Sequence, residues 1–278
     1  MKEVLKIQAK NIIKEITTDG SSPLLVMGSD NNSYYAKSTS TKIPRLELIN
    51  ELLCAYFVMG WNLQGALFAL ITIGKDLVDN YVIEQKPLSQ RYSNLDFDNE
   101  LFFASRRILT ALEHDIFNNG LTANDIKSHA ALDYIKIGVF DNWVGNMDRQ
   151  PKNPNVVMSF VDNKFVYHPI DHTAAFAYLE YRQIKHSYQL RIDPRNCILS
   201  TPLARSILKF ENSKKVANLK QDILNGMNNV IENFEFIYSQ VPKEWGFSSK
   251  AKEHLKKFLS DTQRNETIAN IYLSYIKS

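Results

Sequence analysis

The stretch that most limits how this chain can fold runs from Asp141 to Asp171. It is led into by apolar residues at helical spacing. Ile126, Ala130, Tyr134, Ile137 and Val144 recur over about Asn124 to Asn146, and they predict a helix with those positions in the core. A polar, Pro-containing loop follows, GNMDRQPKNPN over 145–155, and such residues dominate turns. Val156 to Phe160 and Lys164 to Tyr167 then read as a hairpin turning at Asp162-Asn163, and YHPIDH carries the chain out to Asp171 and His172. Helix, polar loop, short hairpin and exit acid in that order are expected to bring Asp148 and Asp171 into one pocket.

The rest of the chain leaves room for that pocket to be a cleft. Its 278 residues, 44% of them hydrophobic, suffice for one large core or two lobes, and long disorder is excluded by 23% charged residues and abundant aromatics. A net charge of only +3 argues against nucleic acid as the main partner and leaves an anionic small ligand open. Cys54 and Cys197 make no disulfide framework or zinc motif; free thiols fit a reducing, cytoplasmic setting. The N-terminus lacks the apolar run of a signal peptide, and the longest apolar stretch, Gly65 to Gly74, is too short to span a bilayer.

Upstream, residues 4–16 alternate weakly and fit strands or one amphipathic helix, with strands favoured, and Asp19 to Pro23 reads as a turn. Leu24 to Met27 and Tyr34 to Lys37 form a hairpin around Gly28 to Asn32, and a Ser/Thr-rich loop ends at Pro44. A helix is predicted from about Arg45 to Met59, with Leu46, Ile49, Leu53 and Phe57 on one face. Leu67 to Ile73 reads as a strand, 75–100 as polar and irregular, and Phe102 to Ser105 as renewed order. Residues 199–278 read as mostly helical, broken near Pro242 and Gly246. The expectation is an α+β, two-lobed fold, with a β-rich N-terminal lobe over 1–105 and a mostly helical lobe over 106–278.

These residue types suit phosphoryl transfer. One carboxylate orients an attacking hydroxyl, while a second carboxylate and an amide oxygen hold Mg²⁺ against phosphates. Asp148 and Asn153 stand five apart on the loop, and Asp171 follows the hairpin. Asn155, directly before the strand, competes with Asn153 for the metal. Lys37 ends a strand where a phosphate-binding lysine would sit, and Glu47 and Glu51 lie one turn apart on the next helix to hold it; Glu51 is the choice. Trp143 reads as core packing, His172 as a supporting residue, and His168 as nothing special. Asp141 is expected either to brace the loop or to be an ordinary helix-surface carboxylate.

The pattern resembles the HipA-like kinase family of bacteria, itself distantly similar to phosphatidylinositol kinases. Asp141, Trp143, Asn146, Asp148, Arg149, Asn153, Pro154 and Asn155 match D-x-W-x-x-N-x-D-R-x-x-x-N-P-N, and Ile170-Asp171-His172 match I-D-H. Lys37 and Asn50-Glu51 match a lysine-bearing strand and an N-E-L-L-like helix, so the likeness covers roughly 18–176. The resemblance implies an ATP- and Mg²⁺-dependent serine/threonine protein kinase. In it Asp148 would act on the substrate hydroxyl, and Asn153 and Asp171 would hold Mg²⁺. Lys37 would bind the α/β-phosphates and pair with Glu51. The backbone of Ser21 and Ser22 would cradle phosphate. Phe103 to Arg107, with Ser105 among them, would contact the adenine. The chain departs from ordinary kinases in lacking G-x-G-x-x-G, H-R-D and D-F-G. Two rivals stand beside this reading. One is a nucleotide-binding pseudokinase regulating a partner such as an operon-encoded antitoxin, and the other is a kinase for a lipid or small molecule.

Overall fold

The computed structural model describes residues 1–17, 22–38, 46–85, 87–92, 95–109, 119–178, 181–184 and 193–276. The N-terminal strands close into a barrel. Strand β1 (Leu5–Glu15) pairs antiparallel with β2 (Leu24–Gly28), and β2 with β3 (Ser33–Lys37). From β3 the sheet continues through β5 (Leu101–Arg106) to β4 (Phe68–Thr72), which runs parallel to the start of β1 and completes the ring. Full closure removes the exposed edges along which open sheets aggregate. Side chains alternate across each strand. Val26, Tyr34, Ala36, Ala69, Phe102 and Ala104 therefore fill the barrel, while Tyr35, Lys37, Phe68, Phe103 and Ser105 face a cavity outside it.

Helix α1 (Leu46–Gly60) connects β3 to β4. The predicted face of Ile49, Leu53 and Phe57 is buried, but so are Leu48, Leu52, Tyr56 and Val58. The helix is apolar nearly all round because it is enclosed. One side meets Leu70 and Phe103 of the barrel, and the other meets the helical half through Trp143, Val230 and Phe234. The larger core therefore runs without a break from α1 into the C-terminal helices. Its helices include α3 (Ala131–Val144), α4 (Pro202–Phe210), α5 (Ser213–Glu232), α6 (Phe234–Ser239), α7 (Ser249–Leu259) and α8 (Thr262–Ala269).

Two expectations need correction. Residues 75–100 are not wholly irregular, because Lys75–Glu84 form helix α2. Only Val78 and Tyr81 of that helix are buried, so its apolar signal is too thin to stand out. The helix predicted from Asn124 is broken. A short turn at Asp125–Ser128 gives way to extended backbone at His129, whose imidazole stacks on Phe165, and α3 starts only at Ala131. Ala130 is accordingly half-buried rather than core. The second hairpin, β6 (Val156–Val161) and β7 (Lys164–Pro169), turns at Asp162 and Asn163 as expected, both at positive φ, a pattern Asn and Asp tolerate. Cys54 and Cys197 are both free and buried. Among the described residues no helix is long and apolar enough to cross a membrane.

Candidate active site

Lys37 leaves the end of β3 on the outer face of the barrel, and its chain is almost wholly buried. Its Nζ donates to Glu51 Oε1 at 2.5 Å and lies 3.1 Å from Asp171 Oδ1. The other oxygen of Glu51 accepts the backbone N–H of His172 at 3.2 Å. A single carboxylate on α1 thus holds both the lysine and the backbone that follows Asp171. Burial alone would push the Glu51 carboxyl up, but the Lys37 ammonium and His172 outweigh it and hold it well below the usual carboxylate range. Burial would likewise lower the lysine, and Glu51 and Asp171 raise it above its ordinary value. Glu47, one turn earlier, faces Arg91 at 3.7 Å, so the pairing with Lys37 goes to Glu51.

The neighbouring Asn50 ties the same helix to the same segment. Its Nδ2 donates to the carbonyls of Thr173 at 2.9 Å and Ala175 at 3.0 Å, and its Oδ1 accepts from Tyr181 Oη at 2.5 Å.

The polar loop is built from the end of α3. Gly145 adopts the left-handed conformation (φ 64°) that stops the helix, which few other residues accept without strain. Buried Asn146 then donates to Asp141 Oδ1 at 3.3 Å and accepts the N–H of Asp148 at 3.3 Å. Arg149 is fully buried. Its Nε lies 2.9 Å from Asp141 Oδ2, and its Nη1 donates to the carbonyls of Asn155 and of Ile170, the latter at 3.0 Å. Asp141 is therefore a brace and not a surface carboxylate. Its carboxyl is raised by burial, and Arg149 offsets only part of that. One guanidinium joins the loop to the exit of β7, where Ile170 N–H also donates to Asn155 O at 2.9 Å. That clasp holds Asp148 and Asp171 at the same end of the β6–β7 hairpin. Asp171 itself sits at positive φ (58°), as does Asn155 (44°).

Asp148 Oδ2 accepts from Asn155 Nδ2 at 3.0 Å and from Asn153 Nδ2 at 3.2 Å. Both amides turn their NH₂ to the carboxylate, which leaves each Oδ1 as the atom able to ligate a cation. Among the described residues no three His, Cys, Asp or Glu side chains group closely enough to hold a metal by themselves. The set here is two carboxylates and two amide oxygens. Such hard oxygen donors fit Mg²⁺, which keeps water and phosphate among its ligands.

Lys37, Glu51, Asp148, Asn153, Asn155 and Asp171 line one cavity of about 1090 Å³. The barrel contributes Tyr35, Lys37, Phe68, Phe103 and Ser105; the hairpin contributes Val157, Pro169, Ile170 and Asp171; the loop contributes Asp148, Asn153 and Asn155. Phe103 and Ser105 were expected there. The N–H groups of Arg106 and Arg107 are already bonded to Leu67 O at 2.6 Å and Ser33 O at 2.8 Å, so a base held at 103–107 cannot use those two donors. Ser21 lies outside the described residues. Ser22 is at positive φ (38°) with its carbonyl accepting from Tyr92 Oη at 2.7 Å, and the cavity is lined there by Ile16 and Pro23 instead. Trp143 is core, as expected, and His168 Nε2 meets Ser159 Oγ at 2.7 Å within the hairpin. Sequence reasoning gave no role to Asn50 or Arg149. Both sit inside the quoted motifs beside Glu51 and Asp148, and that adjacency was the available signal.

A closed barrel, a buried helix carrying the partner of its lysine, and a helical half bearing a polar loop and hairpin make up a kinase-like fold. The chain is similar over its length to the crystal structure of the proinflammatory kinase CtkA of Helicobacter pylori, with a TM-score of 0.56, 14% identity and 99% of each chain covered. At that identity the likeness speaks for the fold alone. A more distant one, to the FAT and kinase domain of CtTel1, has a TM-score of 0.37 and 10% identity over 92% of this chain and 21% of that one. Among curated proteins no match was found. Residues 9–194 match the HipA-like kinase family, and the chain belongs to that family.

Proposed function

We propose that this protein is an ATP- and Mg²⁺-dependent kinase that transfers the γ-phosphoryl group to a Ser or Thr hydroxyl of a protein, with residues 1–105 and 106–278 as the two lobes of one kinase domain. The observation that carries the reading is a single cavity holding the buried Lys37–Glu51 pair with Asp171 on one side and Asp148 with its two amides on the other.

In this reading Lys37, fixed by Glu51, meets the α/β-phosphates. Asp171 and the amide oxygen of Asn153 or Asn155 would hold Mg²⁺, whose charge offsets that of the phosphates. Asp148 accepts the proton of the acceptor hydroxyl as its oxygen forms a bond to the γ-phosphorus and the bond to the β-phosphate oxygen breaks, releasing ADP. The phosphates suit this region because the Lys37 ammonium is desolvated, and charge–charge attraction is stronger out of water.

Incubation with γ-labelled ATP and Mg²⁺ tests the proposal. Label should enter this chain or an added protein. Asp148→Ala should lower transfer by roughly 10² to 10⁴, the range ascribed to a general base, while ATP binding persists. Label entering inositol lipids or sugars but no protein would move the acceptor class. ATP binding without any transfer would make the chain a pseudokinase, and absence of ATP binding would end the nucleotide reading altogether.

A further inference from the structure

The backbone that leaves β7 is tied down on both sides of Asp171. Ile170 N–H donates to Asn155 O at 2.9 Å, and Ile170 O accepts from Arg149 at 3.0 Å. Past the acid, His172 N–H donates to Glu51 at 3.2 Å, and the carbonyls of Thr173 and Ala175 accept from Asn50 at 2.9 and 3.0 Å. Ala175 N–H turns back to His172 O at 3.0 Å. These bonds fix where Asp171 stands. They leave open the rotation of its carboxylate, because the terminal torsion of an aspartate is broad and roughly two-fold.

Two side chains settle that rotation, and both take the same oxygen. Lys37 Nζ lies 3.1 Å from Oδ1, and Thr173 Oγ1 donates to Oδ1 at 2.9 Å. Among the described residues no hydrogen bond or ion pair reaches Oδ2. Asp171 and Thr173 both line the cavity that holds Asp148, Asn153 and Asn155, so Oδ2 is an anionic oxygen available there to a hard cation. The two holds on Oδ1 are not equivalent. In the proposed reaction the Lys37 ammonium is drawn to the α/β-phosphates, which compete with Asp171 for its donors. The Thr173 hydroxyl has no such second task. Its residue is held by Asn50, whose own Oδ1 accepts from Tyr181 Oη at 2.5 Å. Asn50 and Glu51 are neighbours on α1, so one turn of that helix supports both the lysine and the threonine that meet at Asp171.

We infer that Thr173 is a positioning residue for the metal: its hydroxyl holds Oδ1 of Asp171 and so keeps Oδ2 as the oxygen offered to Mg²⁺ once phosphate draws on Lys37. The inference rests on the nucleotide reading above, and its test separates the two. ADP affinity is measured by calorimetry from EDTA through a series of Mg²⁺ concentrations for the wild-type chain, Thr173→Val and Thr173→Ser, with thermal melts of the unliganded proteins alongside. The valine keeps the shape and loses the donor, while the serine keeps the donor. Thr173→Val should bind ADP in EDTA as the wild type does. It should need roughly tenfold to a hundredfold more Mg²⁺ to reach half of its full tightening, the range in which partners of metal ligands act. Thr173→Ser should follow the wild type. If Thr173→Val does not fold, Thr173→Ala carries the test with the same expectation, and failure of both to fold would make the hydroxyl a requirement of the fold and overturn the inference. ADP binding weakened by one factor with and without Mg²⁺ would make Thr173 a support of the pocket only. An unchanged Mg²⁺ requirement would remove it from the metal's surroundings, and a serine variant as impaired as the valine one would trace the effect to packing. All three results overturn the inference. A wild type whose ADP binding ignores Mg²⁺ would instead sink the metal in the reading above, and one that binds no ADP the nucleotide reading itself.

Discussion

At the scale of single residues the site depends on charges taken out of water. Lys37 and Glu51 are both nearly inaccessible, and a buried ion pair contributes modestly as a pair yet costs heavily when one partner is lost. Lys37→Met should therefore destabilise the protein by about 3–5 kcal/mol, because it leaves the buried Glu51 carboxylate without its ammonium partner, facing His172. Adding Glu51→Met should recover most of that loss without restoring activity, as read by urea denaturation and a transfer assay. The pH dependence follows from the two shifts. The Glu51 carboxyl is held below its ordinary 4.5, so its contribution is complete above that value and is lost as pH falls through the folded-state one. The Lys37 ammonium is held above its ordinary 10.5, so its contribution is complete below that value and is lost only as pH rises through the folded-state one. In Lys37→Met the ammonium is gone and burial holds the Glu51 carboxyl above its ordinary 4.5, so the stability gap between wild type and variant should begin to narrow as pH falls through that raised value and go on narrowing toward acid. A gap that stays constant from neutral pH into acid would mean that Glu51 does not control it.

At the scale of elements the Arg149 clasp decides whether loop and hairpin stay together. Its guanidinium satisfies Asp141 on α3 and the carbonyls of Asn155 and Ile170. Arg149→Met should cost about 3–5 kcal/mol by stranding the Asp141 carboxylate in the core. Asp141→Leu on top of it should return much of the stability, since an apolar pair can replace a buried ionic one. Transfer activity should stay lost in the double variant, because no guanidinium then gathers α3, Asn155 and Ile170, and the remaining Ile170 N–H to Asn155 O bond alone leaves the spacing of Asp148 from Asp171 free to drift. Recovery of activity along with stability would show that the clasp is only structural. Elements were legible in the sequence where pattern and chemistry coincided. The two hairpins announced themselves by alternating strands around Gly28–Asn32 and Asp162-Asn163, and α1 by its apolar spacing. Helix α2 was missed because it buries two side chains and offers the barrel no stripe. The break at His129 was missed because its cause is a stacking contact with Phe165, some thirty-six positions along the chain, which no local pattern encodes.

At the scale of the molecule, order along the chain and membership of a core part company. Helix α1 lies in sequence among the barrel strands, yet its apolar residues belong to the large core shared with α3, α5 and α6. Trp61, just past its end, packs 5.5 Å from Trp143 of α3 and 5.3 Å from Phe140, centroid to centroid, and Asn229 Nδ2 on α5 donates to Gly60 O at 2.8 Å. Pulling the barrel from the helical half would expose that helix, at about 1.5–3 kcal/mol for each Leu or Phe returned to water. The two halves should therefore unfold together. Tryptophan fluorescence reports the Trp61–Trp143 contact, and far-UV circular dichroism reports strands and helices alike, so urea transitions followed by the two should share one midpoint. A nucleotide held between barrel and hairpin should raise that common transition: at a hundredfold excess over its dissociation constant the gain is about 2.7 kcal/mol. At roughly 2–4 °C per kcal/mol for a chain approaching this size, Mg·ATP should shift the melt by about 5–10 °C. Separate midpoints, with only the circular dichroism transition moving on addition of nucleotide, would mean that the barrel binds ATP as an independent unit and that α1 does not couple it to the catalytic loop.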